Sequence, residues 1–209
     1  DQKKMVTSIA RPAKIIDSDK GAYYRSYTKE INQEKYAPDR VAHVFTHEYG
    51  HHIDYELSDT NFLAFSESSP AFKQAFLDDR KELGLRASKT KGDAMDMLSR
   101  ELFDRVTKTR KSGTTYEGKE IKGEWCTLAS DIVDAMTGGA FYKQGHWGHG
   151  VSYYKRKGSK EKETFANLFA LRGHPEGWRW CQRRFPRLSE RFDRIVREYL
   201  ESGKNTYDG

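Results

Sequence analysis

The segment FTHEYGHHID, residues 45–54, limits the fold of this chain more than any other part of the sequence. Residues four apart on an α-helix lie one turn above each other on the same face, so His47 and His51 can both offer a ring nitrogen to one metal ion. Glu48 projects about 100° around the helix axis from His47. From there it can accept a proton from a water molecule held at the metal. The HExxH pattern therefore predicts two zinc ligands and one general base.

Residues 39–58 have the hydrophobic period of a helix that would carry this motif. Asp39, directly after Pro38, is the expected N-cap. The helix then presents an apolar stripe, formed by Val41, Val44, Phe45, Ile53 and Leu57. Gly50 in the helix interior costs about 1 kcal/mol relative to alanine, so we expect a packing reason for its presence.

A histidine-rich polar helix face is the competing interpretation of the same segment, because HExxH also occurs in unrelated proteins. The apolar pair Val44 and Phe45 before the motif favours the metal site, as does an edge-like strand upstream that could bind an extended peptide. Two further histidines are assigned lesser roles. We expect His43 to lie at the surface or behind the ligands, and His52, which is off the ligand face, to be structural.

The first 38 residues predict a small sheet. Short β-prone stretches, TSIARPAKII and AYYRSYTKEI, flank the turn-forming cluster DSDKG. Polar and aromatic residues alternate from Ala22 to Lys29, which indicates one strand exposed on one side, at the edge of the sheet. The chain begins at Asp1 rather than Met, which is compatible with a domain excised from a longer protein.

The remainder of the sequence predicts mainly helices. They are expected over 68–84, 93–106, 124–139, 163–172, 176–185 and 186–201. The polar segment 112–123 predicts a hairpin or loop, and the glycine-rich, then basic segment 145–162 predicts a loop or short strand. The sequence therefore predicts one α+β domain of 209 residues with a small N-terminal sheet, whose edge strand lies beside the helix of residues 39–58.

A catalytic zinc needs a third protein ligand and one open position. Glu163 opens the apolar helix ETFANLFALR, with Asn167 one turn further along the same side. An acidic residue at a helix start usually only complements the helix dipole. The HExxH segment upstream favours Glu163 as a ligand instead, and His146 and His149 in GHWGHG remain the alternatives.

These strings resemble a known family. HEYGHHID followed by ETFANLFAL is similar to the gluzincin-type, zincin-like protease domain of anthrax lethal factor and its relatives, and to metallopeptidase-like C-terminal domains of phage minor head proteins, which act in head morphogenesis. The resemblance implies that His47 and His51 are the helical ligands, Glu48 the base and Glu163 the third ligand, on the C-terminal helices 163–201.

The resemblance also implies roles for residues around the ligands. Asp54 matches an aspartate that orients a ligand histidine. Asn167 stands where the family often has glutamate, and it can still make a hydrogen bond behind a ligand. The family places a tyrosine before the third ligand to stabilise the oxyanion of the reaction. Tyr153 and Tyr154 in GVSYYKRKG are the candidates, and the serine–tyrosine context favours Tyr153.

The composition of the chain limits the classes of partner that it is expected to bind. The chain has 37 basic and 31 acidic residues, a net charge of +6, which favours acidic partners without indicating nucleic acid. Arginines recur at near-helical spacing at 184, 187, 191 and 194, but acidic residues interrupt them, so a solvated helix face is expected. No apolar run reaches the roughly 20 residues of a membrane helix, and no signal peptide opens the chain. Cys126 and Cys181 are expected to be buried free thiols rather than a disulfide.

The resulting prediction is a zinc-dependent endopeptidase. Its substrate would be a peptide or protein bound in an extended form against the edge strand, and Glu48 would activate the attacking water. The alternative is a catalytically silent zincin-like module of a phage particle or of a larger toxin-like protein, in which the metal only stabilises the fold.

Overall fold

The computed structural model describes residues 13–34, 41–58, 60, 62–85, 92–144 and 148–201, and in these ranges helices predominate. The helices are α1 (Val41–Glu56), α2 (Phe65–Ser68), α3 (Pro70–Glu82), α4 (Asp93–Leu102), α5 (Glu124–Thr137), α6 (Gly150–Tyr153), α7 (Ser159–Leu171), α8 (Pro175–Arg184) and α9 (Pro186–Glu201), with a 3₁₀ turn at Tyr142–Gln144. The strands are β1 (Lys14–Ser18), β2 (Tyr23–Arg25), β3 (Glu30–Glu34), β4 (Phe103–Thr109) and β5 (Thr115–Ile121). The predicted α+β class, mainly helical with a small N-terminal sheet, is confirmed. The expected N-cap Asp39 lies outside the described residues.

The N-terminal sheet has the order β1-β3-β2, with β1 parallel and β2 antiparallel to the central β3. The single strand expected from Ala22 to Lys29 is wrong. Strand β2 ends at Arg25, and residues 26–29 turn the chain into β3, with Lys29 at a φ of 53°. β2 is an edge strand and contacts α1, since the Tyr24 hydroxyl lies 3.1 Å from Nδ1 of His52.

Helix α7 lies at the centre of the core, packed between α1 and α5. Its buried side chains include Phe165, Leu168 and Phe169. The approach of α1 to α7 depends on Gly50, because a methyl group there would lie 2.8 Å from both the Cα and the carbonyl oxygen of Ala166. The packing reason expected for Gly50 is confirmed.

Three predicted segments differ from expectation by more than a few residues at their ends. The helix expected over 93–106 ends at Leu102, where its buried apolar face ends, and the chain continues as β4, which pairs with β5 in an antiparallel hairpin. The segment 112–123, expected as a hairpin or loop, contributes β5 to this hairpin, whereas β4 lies before it. The segment 145–162, expected as loop or strand, instead contains α6, and α7 begins at Ser159, four residues before Glu163.

The four arginines at 184, 187, 191 and 194 are engaged in ion pairs. Their acidic partners are Glu101 for Arg184, Asp79 and Glu82 for Arg187, Glu198 for Arg191 and Glu190 for Arg194. This arrangement supports the interpretation of a solvated structural face. Cys126 and Cys181 are both buried and free, as expected. Within the described ranges, no helix combines the length and apolar character needed to cross a membrane.

Candidate metal centre

Three residues predicted as metal ligands converge between α1 and α7. Nε2 of His47 lies 3.2 Å from Oε2 of Glu163, and Nε2 of His51 lies 3.5 Å from Oε1 of the same carboxylate. All three ligand atoms lie within 4.8 Å of one another. The Glu163 side chain is 2% exposed and both histidines are largely shielded. The fold therefore contains a buried histidine–glutamate group that could bind a metal ion.

The close contact of two helix backbones positions these ligands. Gly50 immediately precedes His51, and Ala166 lies three residues after Glu163, so the tightest contact is within one turn of the ligands on both helices. A larger residue at position 50 would separate the helix that carries two ligands from the helix that carries the third. The glycine at position 50 therefore determines how closely the two histidines approach Glu163.

Asn167 fixes the tautomer of His47. The Nδ2 of Asn167 donates to Oδ2 of Asp131 and to the backbone carbonyl of Glu163, both at 2.9 Å. Its Oδ1 therefore faces Nδ1 of His47, at 3.0 Å, and can only accept. The proton of the neutral imidazole must then reside on Nδ1, which leaves the Nε2 lone pair directed to the ligand cluster.

Tyr153 and His149 complete the other side of Glu163. The Tyr153 hydroxyl donates to Oε1 of Glu163 in a short hydrogen bond. Nε2 of His149 lies 3.2 Å from Oε2 of Glu163 and 3.6 Å from Oδ2 of Asp131. The rings of His149 and Tyr153 stack with centroids 4.2 Å apart. Tyr154 is turned away from Glu163 and donates to Oδ1 of Asp131 at 2.8 Å.

The structure thus distinguishes the two tyrosines, although they lie at a helix end and not in the loop or short strand that was expected. Tyr153 ends the short helix α6 and Tyr154 follows it, and their rings are nearly perpendicular at 89°. Tyr153 reaches Glu163, whereas Tyr154 is 4% exposed and packs in the core. His146 lies outside the described residues.

Burial and charge shift the ionisation of this cluster. Burial alone would raise the pKa of Glu163, but the charge of His51 and hydrogen bonds from His149 and His47 hold it well below its usual range. Burial also opposes charging of His149, yet the hydrogen bond to Glu163 and the charge of Asp131 outweigh it and raise the pKa to about 9. Burial, together with the charge of Glu163, raises the pKa of Tyr153, so its hydroxyl stays protonated and remains a donor.

Glu48 and Asp54 occupy separate surroundings. Glu48 is 9% exposed, and its charge is one of the smaller contributions to the raised pKa of Tyr153. The buried carboxylate of Asp54 accepts hydrogen bonds from the backbone N–H (2.8 Å) and hydroxyl (2.6 Å) of Ser66, at the start of α2. Burial raises the pKa of Asp54 to about 7, and the hydrogen bonds from Ser66 and the charge of His51 only partly offset that effect. His52 is fully buried against Tyr24, in the structural role that was expected.

Two aspartates of α5 belong to the site and were missed by sequence reasoning. Asp131 bonds to Asn167 and Tyr154, as described above. Asp134 accepts the backbone N–H groups of Tyr142, His149 and Gly150 at 2.8–3.1 Å, which anchors the segment that carries His149. The available signal was the pattern SDIVDAM, which places two acidic residues within an otherwise apolar helix.

The site thus combines a convergent ligand set with a buried network of hydrogen bonds around it. Comparison with protein-family models, with curated proteins and with solved structures found no match to this chain.

Proposed function

We propose that this chain is a zinc-dependent endopeptidase of the zincin type. The observation that carries the proposal is the convergence of the ligand atoms of His47, His51 and Glu163 within 4.8 Å, with Glu48 next to His47 in the sequence. Two imidazole nitrogens and one carboxylate oxygen are a donor set suited to Zn²⁺. In the neutral form of His47 the Asn167 contact keeps the proton on Nδ1, so Nε2 is the atom that a metal ion would bind. The donor chemistry therefore fits the ion.

A bound zinc ion would polarise the scissile carbonyl and lower the pKa of water at the site towards about 7. Glu48 is proposed to accept the proton. It follows His47 directly on α1, and its shielded position keeps the proton transfer out of bulk solvent. Asn167 maintains the orientation of the His47 ring during this step.

Tyr153 is proposed as the donor to the developing oxyanion. Its hydroxyl already lies at the ligand cluster, and its raised pKa keeps the proton available for donation. The stacked ring of His149 supports the position of the phenol. Asp134 holds that histidine in turn, because its carboxylate accepts a hydrogen bond from the backbone N–H of His149.

The substrate is proposed to be a peptide bound in an extended conformation. Strand β2 is the terminal strand of the sheet β1-β3-β2 and contacts α1 through Tyr24. An edge strand beside the motif helix offers backbone hydrogen bonds to a further strand. The resemblance of HEYGHHID and ETFANLFAL to lethal-factor-type peptidases supports the same substrate class.

The test compares the chain with its Glu48→Gln variant. We expect both proteins to bind zinc, measured by elemental analysis after native purification, and only the unaltered chain to cleave a diverse peptide library. Glutamine keeps the size of the side chain but cannot accept the proton, so the loss should be in turnover rather than in metal content. A chain that does not bind zinc would refute the proposal. A zinc-loaded chain that cleaves no peptide would favour the silent module instead.

A further inference from the structure

We propose that Asp131, His149 and Glu163 form a second divalent-cation site, and that Glu163 bridges it to the first. The inference rests on the proposed function for the first ion and adds two further ligands, Asp131 and His149. The ligand atoms of this second group also lie within 4.8 Å of one another. Glu163 belongs to both groups, so its one carboxylate would bind both ions.

The second group has ligand spacings that match those of the first. In the first group, the histidine nitrogens lie 3.2 and 3.5 Å from the Glu163 oxygens. In the second, Nε2 of His149 lies 3.2 Å from Oε2 of Glu163 and 3.6 Å from Oδ2 of Asp131. The geometry that supports one ion at His47 and His51 therefore supports another at His149 and Asp131.

Charge provides an independent argument. Asp131 is 8% exposed and Glu163 is 2% exposed, and their ligand oxygens lie within 4.8 Å of each other. Two buried carboxylates at this separation repel each other and have lost most of their hydration. An ion at His47 and His51 would be coordinated by Glu163 but not by Asp131. The His149 imidazole faces both carboxylates, and a second cation bound by its neutral form would compensate the charge of Asp131.

The second group is held in place by the surrounding structure. Tyr154 donates to the other oxygen of Asp131 at 2.8 Å, and Asp134 binds the backbone N–H of His149 at 3.1 Å. Such outer contacts orient ligands before an ion binds. One imidazole and two carboxylates suit zinc, cobalt or manganese. Because the His149 side chain is 39% exposed, this ion should exchange faster than the first.

The test is the zinc stoichiometry of the full chain, measured by equilibrium dialysis against zinc with elemental analysis. We expect two zinc ions per chain. His149→Phe keeps an aromatic ring to stack on Tyr153 but removes the nitrogen, so it should bind one. His174→Phe makes the same chemical change at the start of α8 and should still bind two. Asp131→Asn is a second variant that should lose the same ion, and circular dichroism verifies that each variant is folded.

Three outcomes separate this inference from the proposed function. His47→Ala should remove the first ion and leave one, whether or not peptides are cleaved. One zinc in the unaltered chain that persists in His149→Phe would overturn the second site. One zinc that is lost in His149→Phe would also overturn it, because His149 would then be a ligand of a single ion.

Discussion

Replacement of Gly50 by alanine tests the link between helix packing and the metal centre. A methyl group there would lie 2.8 Å from the Cα and carbonyl oxygen of Ala166 and 3.1 Å from Cβ of Phe169. Non-bonded carbon atoms are at their optimum at about 3.5–4.0 Å, so α1 and α7 would have to separate by roughly 0.7 Å. Two of the three obstacles are backbone atoms, which cannot change rotamer.

The expected change in the free energy of unfolding is the sum of two opposing effects. Alanine is a better helix former than glycine by about 1 kcal/mol. Overpacking of a core contact costs about 1–3 kcal/mol, and the backbone contact at Gly50 places it at the upper end. We therefore expect a net loss of about 1–2 kcal/mol. For a chain of this size, that corresponds to a decrease in Tm of roughly 2–8 °C.

The same substitution should weaken metal binding. His47 and His51 would move away from Glu163 with their helix, whereas metal sites tolerate only about 0.2 Å in ligand distances. We expect zinc affinity to fall at least about tenfold, the scale seen when groups that support metal ligands are lost. Thermal unfolding with a chelator present measures stability, and competition against a chromogenic chelator measures zinc affinity.

Gly84→Ala is the matched control. Gly84 has a φ of +68° with nothing within 4 Å of its added methyl group, so the substitution strains only the backbone, away from the site. It should lower Tm without changing zinc affinity. A Gly50→Ala protein as stable as the unaltered chain, or the same loss of zinc affinity in both variants, would refute the reasoning.

Three further changes test other parts of the structure. Asp79→Ala removes the carboxylate that accepts the Leu188 N–H at the start of α9 at 2.8 Å; we expect the free energy of unfolding in urea to fall by about 1–3 kcal/mol, and less for Asp79→Asn. Burial raises the pKa of Asp54 to about 7 despite the hydrogen bonds from Ser66. The folded metal-free chain therefore binds this proton more tightly than the unfolded chain does. As a result, the chain loses stability as the pH rises from about 4 to about 7. Asp54→Asn can keep both contacts to Ser66 and should flatten that slope in thermal unfolding with chelator; an unchanged slope would argue against the assignment. Burial raises the pKa of the Cys181 thiol, so iodoacetamide should label it only in denaturant, and rapid labelling of the native chain would contradict its burial.

The helices that carry the candidate ligands were predictable because helix formation depends on sequence patterns within a few turns. A four-residue spacing places His47 and His51 on one face whatever the rest of the chain does. The apolar residues after Glu163 likewise predict a buried helix, and α7 is buried at the core. What periodicity could not provide is the distance between the two helices, which depends on the contact of Gly50 with Ala166.

The segment around Tyr153 was harder to predict because its conformation depends on a distant residue. Glycine-rich sequences allow many backbone conformations, so a loop or strand was a reasonable expectation. In the structure, Asp134 accepts two consecutive N–H groups, from His149 and Gly150, and so fixes the start of α6. A methyl group on Gly148 would lie 2.3 Å from Oδ2 of Asp134, so the glycine is required for that approach.

Asn167 shows how the surrounding charges determine the residue behind a ligand. The resemblance to lethal-factor-type domains leads one to expect glutamate at this position. A carboxylate there would be a third buried negative charge beside Asp131 and Glu163, and it could not donate to Asp131. The amide instead accepts a hydrogen bond from His47 and donates one to Asp131. The negative charge of Asp131 therefore reaches His47 through Asn167 and not by direct contact. The departure at 167 and the aspartate at 131 are therefore two parts of one arrangement, which becomes evident only when α5 and α7 are packed together.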